Sequence, residues 1–139
     1  VKLENFTVFL SENTTLMRIS RFEDILAWQK GQDLAVEVYL TLHEIKDWDF
    51  RSQINRAAVS VSNNIAEGFD RHTNKEFIKF LTVARASCSE VKSMLYLAER
   101  LGYLEKHKSI QLLLLTVEIS KMINGLIKVL RKPYNSTSN

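Results

Sequence analysis

The sequence predicts an all-α fold, an up-down-up-down antiparallel four-helix bundle. Three observations predict it. Apolar residues recur at helical rather than alternating spacing through four long stretches. One proline and four glycines in 139 residues leave little to interrupt those stretches. The polar joints between them are short, and short joints make neighbouring helices antiparallel. The period gives no sign of a sheet, and no internal repeat is present. A chain of this length is most simply one domain and can bury a core without staples.

Residues 1–20 carry no clear period. The run SENTT is loop-like, and Met17 is a more natural start than Val1. The expectation here is a leader or a poorly ordered extension, with an added docking strand or short helix as the alternative. The bundle is expected over residues 21–132. Its first helix is placed at 22–45, opened by the capping box of Ser20 and Glu23. Trp28, Gly31, Ala35, Val38, Leu42 and Ile45 form the apolar stripe. Gly31 costs about 1 kcal/mol of helix propensity relative to Ala, so its place on that stripe predicts a close helix approach. Trp48 and Phe50, in the turn that follows, are suited to plug one end of the bundle.

The second helix is expected at 51–69, with Asp49 as cap and Gly68 with the polar run after it as stop. It has two unlike faces. Ile54, Ala57, Ala58, Val61 and Ile65 make an apolar stripe of mostly small residues. Gln53, Arg56, Ser60, Asn63, Asn64 and Glu67 make a polar face. That face either cross-links neighbouring helices or subunits, or meets a ligand or nucleic acid. Polar networks of this kind commonly fix one packing arrangement at a cost in stability.

The third helix starts at Thr73, where Thr73 and Glu76 make a second capping box, and stops at Gly102. Phe77, Phe80, Leu81, Ala84, Cys88, Val91, Leu95 and Ala98 hold its stripe. The fourth helix is expected at 105–132. Leu112, Leu115, Ile119, Met122, Leu126 and Val129 form one stripe. Leu113, Leu114, Val117, Ile123, Ile127 and Leu130 widen the apolar arc past one face. Such a helix is central in its bundle or shared with another subunit. Residues 133–139 are a polar tail.

Little chemistry is encoded. The residues three before His43, His72 and His107 are Leu40, Phe69 and Leu104, so the Glu-x-x-His of di-iron bundles is missing. No zinc motif and no Gly-rich phosphate loop is present, so no metal or cofactor is expected. Cys88 lies on an apolar stripe and reads as a buried, inert thiol. A single cysteine forms no intrachain disulfide and fits a reducing cytoplasm. There is no 18-residue apolar run for a membrane span.

The net charge is only +3, but it is unevenly spread. Residues 22–49 hold seven acids against two bases, and residues 51–132 hold fourteen bases against seven acids. A basic stretch attracts phosphates, although solvated helix faces look the same. The candidates for nucleic-acid contact are Arg51, Arg56, Arg71, Lys75, Lys79, Arg131 and Lys132. Antiparallel helices would set Arg71 and Lys75 at the same end as Arg131 and Lys132. No aromatic is regularly interleaved with these residues, so backbone attraction is favoured over base stacking.

Three segments resemble a known family. They are FEDILAWQKGQDLAVEVY, QINRAAVSVSNNIAEGFDR and NKEFIKFLTVARASCSEVKSMLYLAERLGYL. They are similar to the bacterial four-helix-bundle proteins encoded in intervening sequences of 23S rRNA genes, across about residues 21–131. Its core, RAAVSVSNNIAEG with a downstream KEF, is fairly specific. Members are also labelled small-subunit ribosomal proteins. The resemblance implies a ring-like homopentamer. It also implies kinship with the accessory variability protein of diversity-generating retroelements, a basic pentamer that works with a reverse transcriptase and nucleic acid. Two departures stand out: the turn KDWDF lacks the proline often found there, and Ser62 stands where members often have proline.

The expectation is a non-enzymatic, cytoplasmic, homo-oligomeric bundle associated with RNA or DNA through phosphate contacts, with no membrane partner. The alternative is a protein–protein adaptor that binds no nucleic acid. The apolar arc of the fourth helix and the small face of the second are the candidate subunit contacts.

Overall fold

The computed structural model describes the backbone of residues 6–10 and 15–132. Residues 1–5, 11–14 and 133–139, which include part of the expected extension and the polar tail, lie outside the described residues. Four helices follow in order: α1 (Leu26–Leu42), α2 (Trp48–Phe69), α3 (Asn74–Arg100) and α4 (Lys106–Leu130). Each packs on the next, and α4 returns to α1, which closes a four-helix bundle. At 1.5 Å per residue the helices are on the order of 25–40 Å long.

The bundle is all-α as expected, but it is preceded by a two-stranded ribbon. The strands β1 (Phe6–Leu10) and β2 (Thr15–Ile19) pair antiparallel, Phe6 opposite Ile19 and Leu10 opposite Thr15. The sequence reading gave no sheet, and an added docking strand only as the alternative for this stretch. Five-residue strands are too short for a period to show, although FTVFL is rich in aromatic and β-branched residues. Ile19, at the end of β2, is buried in the helical core.

A 3-10 turn, Phe22–Asp24, leads into α1, which starts later than the expected capping box. Ile25 is the residue before the helix; it is extended and offers no side-chain cap. Burial of Ile25 fixes this entry, and Glu23 pairs with Arg21 at 3.2 Å instead of capping. The helix α2 starts earlier than expected because Asp47, not Asp49, caps it, accepting the Phe50 N–H at 3.1 Å. Thr73 caps α3 as its sequence predicts, with Oγ1 accepting the Glu76 N–H at 3.1 Å. Gly102, at φ +74°, ends α3 in a Schellman motif. Its N–H donates to Glu99 O, and the Tyr103 N–H donates to Ala98 O at 2.8 Å.

Gly68 does not stop α2; it lies one residue inside the helix. Its role is steric. A Cβ there would stand 2.6 Å from the Phe80 Cβ and 3.0 Å from a Phe77 ring carbon, so α3 crosses closely at this point. Gly31 plays the expected part between α1 and α2, where a Cβ would meet the Ser62 Cβ at 3.2 Å. Ser62 is buried and accepts a hydrogen bond from Gln32 Nε2 at 2.8 Å. Phe50 plugs the bundle as expected, edge-on to Tyr103 at 5.3 Å, while Trp48 stays 66% exposed beneath the Arg51 guanidinium.

The core is one contiguous cluster drawn from all four helices. Ile123, Ile127 and Leu130, part of the wide apolar arc of α4, are in that core. Ile110 and Leu114 face outward. The expectation of no span-like segment needs correcting. α4 contains an 18-residue window of mean hydropathy 1.5, so by length and composition alone it is apolar enough to cross a membrane. Only a third of that window is buried, where α4 packs on α3 and, less extensively, on α1.

Candidate nucleic-acid interface and the polar groove of α2

The polar face of α2 lies along its seam with α3. Ser60 Oγ and Ser87 Oγ are 2.8 Å apart. Asn64 Nδ2 donates to the Ser60 carbonyl and to Ser60 Oγ, both at 2.8 Å. Gln53 Nε2 reaches Glu90 Oε1 at 3.3 Å. This seam locks α2 to α3 in register.

All six residues of the predicted polar face line two adjoining concavities. One, of about 330 Å³, is bounded by Tyr39, Arg56, Val59, Ser60, Asn63, Asn64 and Glu67. The other, of about 480 Å³, is bounded by Gln53, Arg56, Ala57, Ser60, Ser87 and Glu90. Arg56 and Ser60 belong to both, so the two form one trough along the outside of α2. Tyr39, Ser87 and Glu90 join it from α1 and α3. The sequence reading missed Tyr39 and Ser87 as site residues, because only the packing of three helices brings them to α2. Tyr39 carried a signal: a large aromatic off the apolar stripe of its own helix.

The basic candidates divide into groups. The antiparallel course places Arg71, Lys75 and Lys79 at the end of the bundle where α4 finishes with Arg131 and Lys132. Arg71 lies over the Phe80 ring at 4.5 Å, which holds its guanidinium at the α2–α3 turn. Among the described residues, none of these five basic side chains makes an ion pair. Arg51 and Arg56 are not brought to this end. Arg51 lies in the first turn of α2, at the opposite end, where it donates to the His43 and Ile45 carbonyls and stacks on Trp48. It closes the C-terminal end of α1, a structural task. Arg56 belongs to the trough.

Cys88 is fully buried, donates weakly to the Thr116 carbonyl at 3.3 Å, and has its thiol pushed up by burial. That state is unreactive. Among the described residues, no three His, Cys, Asp or Glu side chains gather as a metal site.

The profile of the 23S rRNA-intervening sequence protein family matches residues 23–125, most of the bundle. The chain belongs to that family. Among solved structures, the chain is similar to a protein of unknown function from the S23 ribosomal protein family of Bacteroides thetaiotaomicron VPI-5482. The two share 26% identity and superpose with a TM-score of 0.70. The match covers 74% of this chain and 99% of the other. The family match begins at Glu23, so the ribbon β1–β2 lies outside it. No curated protein matches the chain.

Proposed function

We propose that this protein is a non-enzymatic, cytoplasmic, homo-oligomeric scaffold that associates with RNA through phosphate contacts at one end of the bundle. The basic end carries this reading: Arg71, Lys75, Lys79, Arg131 and Lys132 share it, without ion pairs among the described residues. The resemblance implies kinship with the retroelement accessory protein, a basic pentamer that works with nucleic acid, and that favours both the RNA reading and a ring of five. Five copies of a +3 chain carry about +15, and several weak phosphate contacts then act together through effective concentration. The outward face of α4 is the proposed subunit contact.

The test is fluorescence anisotropy of labelled RNA across a salt series. Replacing Arg71, Lys75, Arg131 and Lys132 with Gln is expected to weaken binding to all sequences alike. The salt slope should fall by roughly 0.7 for each single-strand phosphate that the variant no longer neutralises. Unchanged affinity would remove the basic end from the interface. The adaptor reading is favoured by one feature, the exposure of Val36 and Leu40 on α1. It requires salt-insensitive capture of a protein partner and no saturable RNA signal.

A further inference from the structure

We infer that the trough along α2 reads bases of single-stranded RNA, with Arg56 taking one phosphate, Tyr39 a base face, and Gln53 and Asn63 the base edges. This rests on the RNA reading proposed above, but it uses different residues from the basic end. The trough is built on rigid elements. The Ser60–Ser87 contact at 2.8 Å, held by Asn64, lies in it, with α2 and α3 bounding the Gln53–Glu90 half and Tyr39 of α1 facing α2 in the other. From Gln53 to Glu67 it runs about 21 Å along the helix.

Its chemistry selects the ligand. Arg56 is exposed and makes no ion pair among the described residues, although Glu67 and Glu90 line the same trough. One cation between two carboxylates accepts one anion and repels a run of them. A strand that lays its phosphate track in the trough, or a strongly acidic peptide, is therefore a poor fit, so the bases enter and every phosphate but the one on Arg56 faces solvent. The amides of Gln53 and Asn63 supply donors and acceptors together, the combination that pairs with base edges. Carboxylates accept from exocyclic amino groups, so Glu67 and Glu90 suit bases that carry one. Tyr39 is 49% exposed at the α1 lip and offers a ring face to a base. Unstacked bases are available only in a single strand, since a duplex hides its base edges from such a trough.

The experiment uses the full chain and labelled single-stranded adenine, cytosine and uracil 12-mers at moderate salt. Wild type is expected to favour one of the amino-bearing homopolymers, adenine or cytosine, over uracil by about tenfold or more. Tyr39→Leu with Asn63→Ala should erase that preference and leave the salt-dependent component. Replacing the basic-end residues should weaken all three RNAs equally and keep the preference. Photo-crosslinking of wild type with 4-thiouridine placed within the preferred strand is a second readout that needs no variant to fold, and Tyr39 should be labelled. Equal affinity for all three RNAs, unchanged discrimination in the variant, or crosslinks confined to the α2–α3 turn would each overturn the trough while leaving the basic end intact. An acidic peptide that binds in an Arg56-dependent way, with no RNA preference, would assign the trough to protein and overturn the inference. Failure of every RNA to bind at low salt would remove both readings together.

Discussion

The Tyr103 hydroxyl donates to Asp47 Oδ2 at 2.8 Å, which ties the α3–α4 turn to the α1–α2 turn. Asp47 also receives the Phe50 N–H at 3.1 Å, so one carboxylate both caps α2 and joins two corners of the bundle. The Tyr103 hydroxyl, and then the Phe50 N–H, hold the Asp47 carboxyl below its ordinary 3.8. The same bond to Asp47 raises Tyr103 above its ordinary 10.0.

The signs set a pH window. A depressed carboxyl contributes stability above its unfolded value and loses it as pH falls through the folded one. A raised phenol contributes below its unfolded value and loses it as pH rises through the folded one. The link therefore operates between about pH 4 and pH 10. Tyr103→Phe is expected to lower the thermal midpoint at pH 7 and to converge on wild type near pH 2. Asp47→Asn should keep most of the cap, because Asn is a good N-cap, and should lose the charge-assisted part of the Tyr103 bond. Unfolding curves at pH 2, 7 and 10.5 check this. A Tyr103→Phe deficit that persists unchanged at pH 2 would show that the hydroxyl contributes without the Asp47 charge, and would remove the charge-assisted link.

Gly68→Ala is expected to destabilise the protein by about 1–3 kcal/mol, although Ala is the better helix former by about 1 kcal/mol. The new methyl would stand 2.6 Å from the Phe80 Cβ, which is anchored on the α3 backbone and has no rotamer to escape by. The helices must separate locally or α3 must slide. Gly125→Ala is the control, since a Cβ there meets nothing within 4 Å, and it should be neutral or stabilising. Denaturant titration of both variants decides it. A neutral Gly68→Ala would mean the α2–α3 crossing adjusts freely.

Gly68 also shows where reading the sequence reached its limit. A glycine before a polar run is the ordinary mark of a helix stop, and Gly102 obeys it. Gly68 carries the same mark for another reason, the approach of Phe77 and Phe80 from α3. No local pattern separates those two cases. The four helices were legible because a 3.6-residue period sustained over many turns is hard to imitate. Thr73 was legible as a cap because the signal is local. Asp47 was not, because Asp49 offers the same chemistry two residues on, and the choice is made by Tyr103 from 56 residues away. The polar face of α2 was legible as a set, and the structure brings all six residues to one trough. Arg51 shares the list of basic candidates with Arg71, but the length of the 22-residue α2 separates the two.

The outward face of α4 gives the sharpest test of assembly. Leu114 is 65% exposed, with Ile110 also outward, on a helix whose other leucines and isoleucines are largely taken up by the core. Leaving a large aliphatic side chain in water forgoes about 1.5–3 kcal/mol of burial, which a subunit contact would recover. Leu114→Glu puts a charge at that position while keeping a good helix former, so the fold of one chain should change by no more than about 0.5 kcal/mol. Five chains of 16.1 kDa give a ring of about 80 kDa. Sedimentation velocity at micromolar concentration is expected to find that mass for wild type and a smaller species for Leu114→Glu. Far-ultraviolet circular dichroism should show equal helix in both. A variant that keeps the full mass would take Leu114 out of the interface and turn attention to Val36 and Leu40 on α1. A wild type of 16 kDa would remove the ring, and with it the added avidity on which five weak phosphate sites depend.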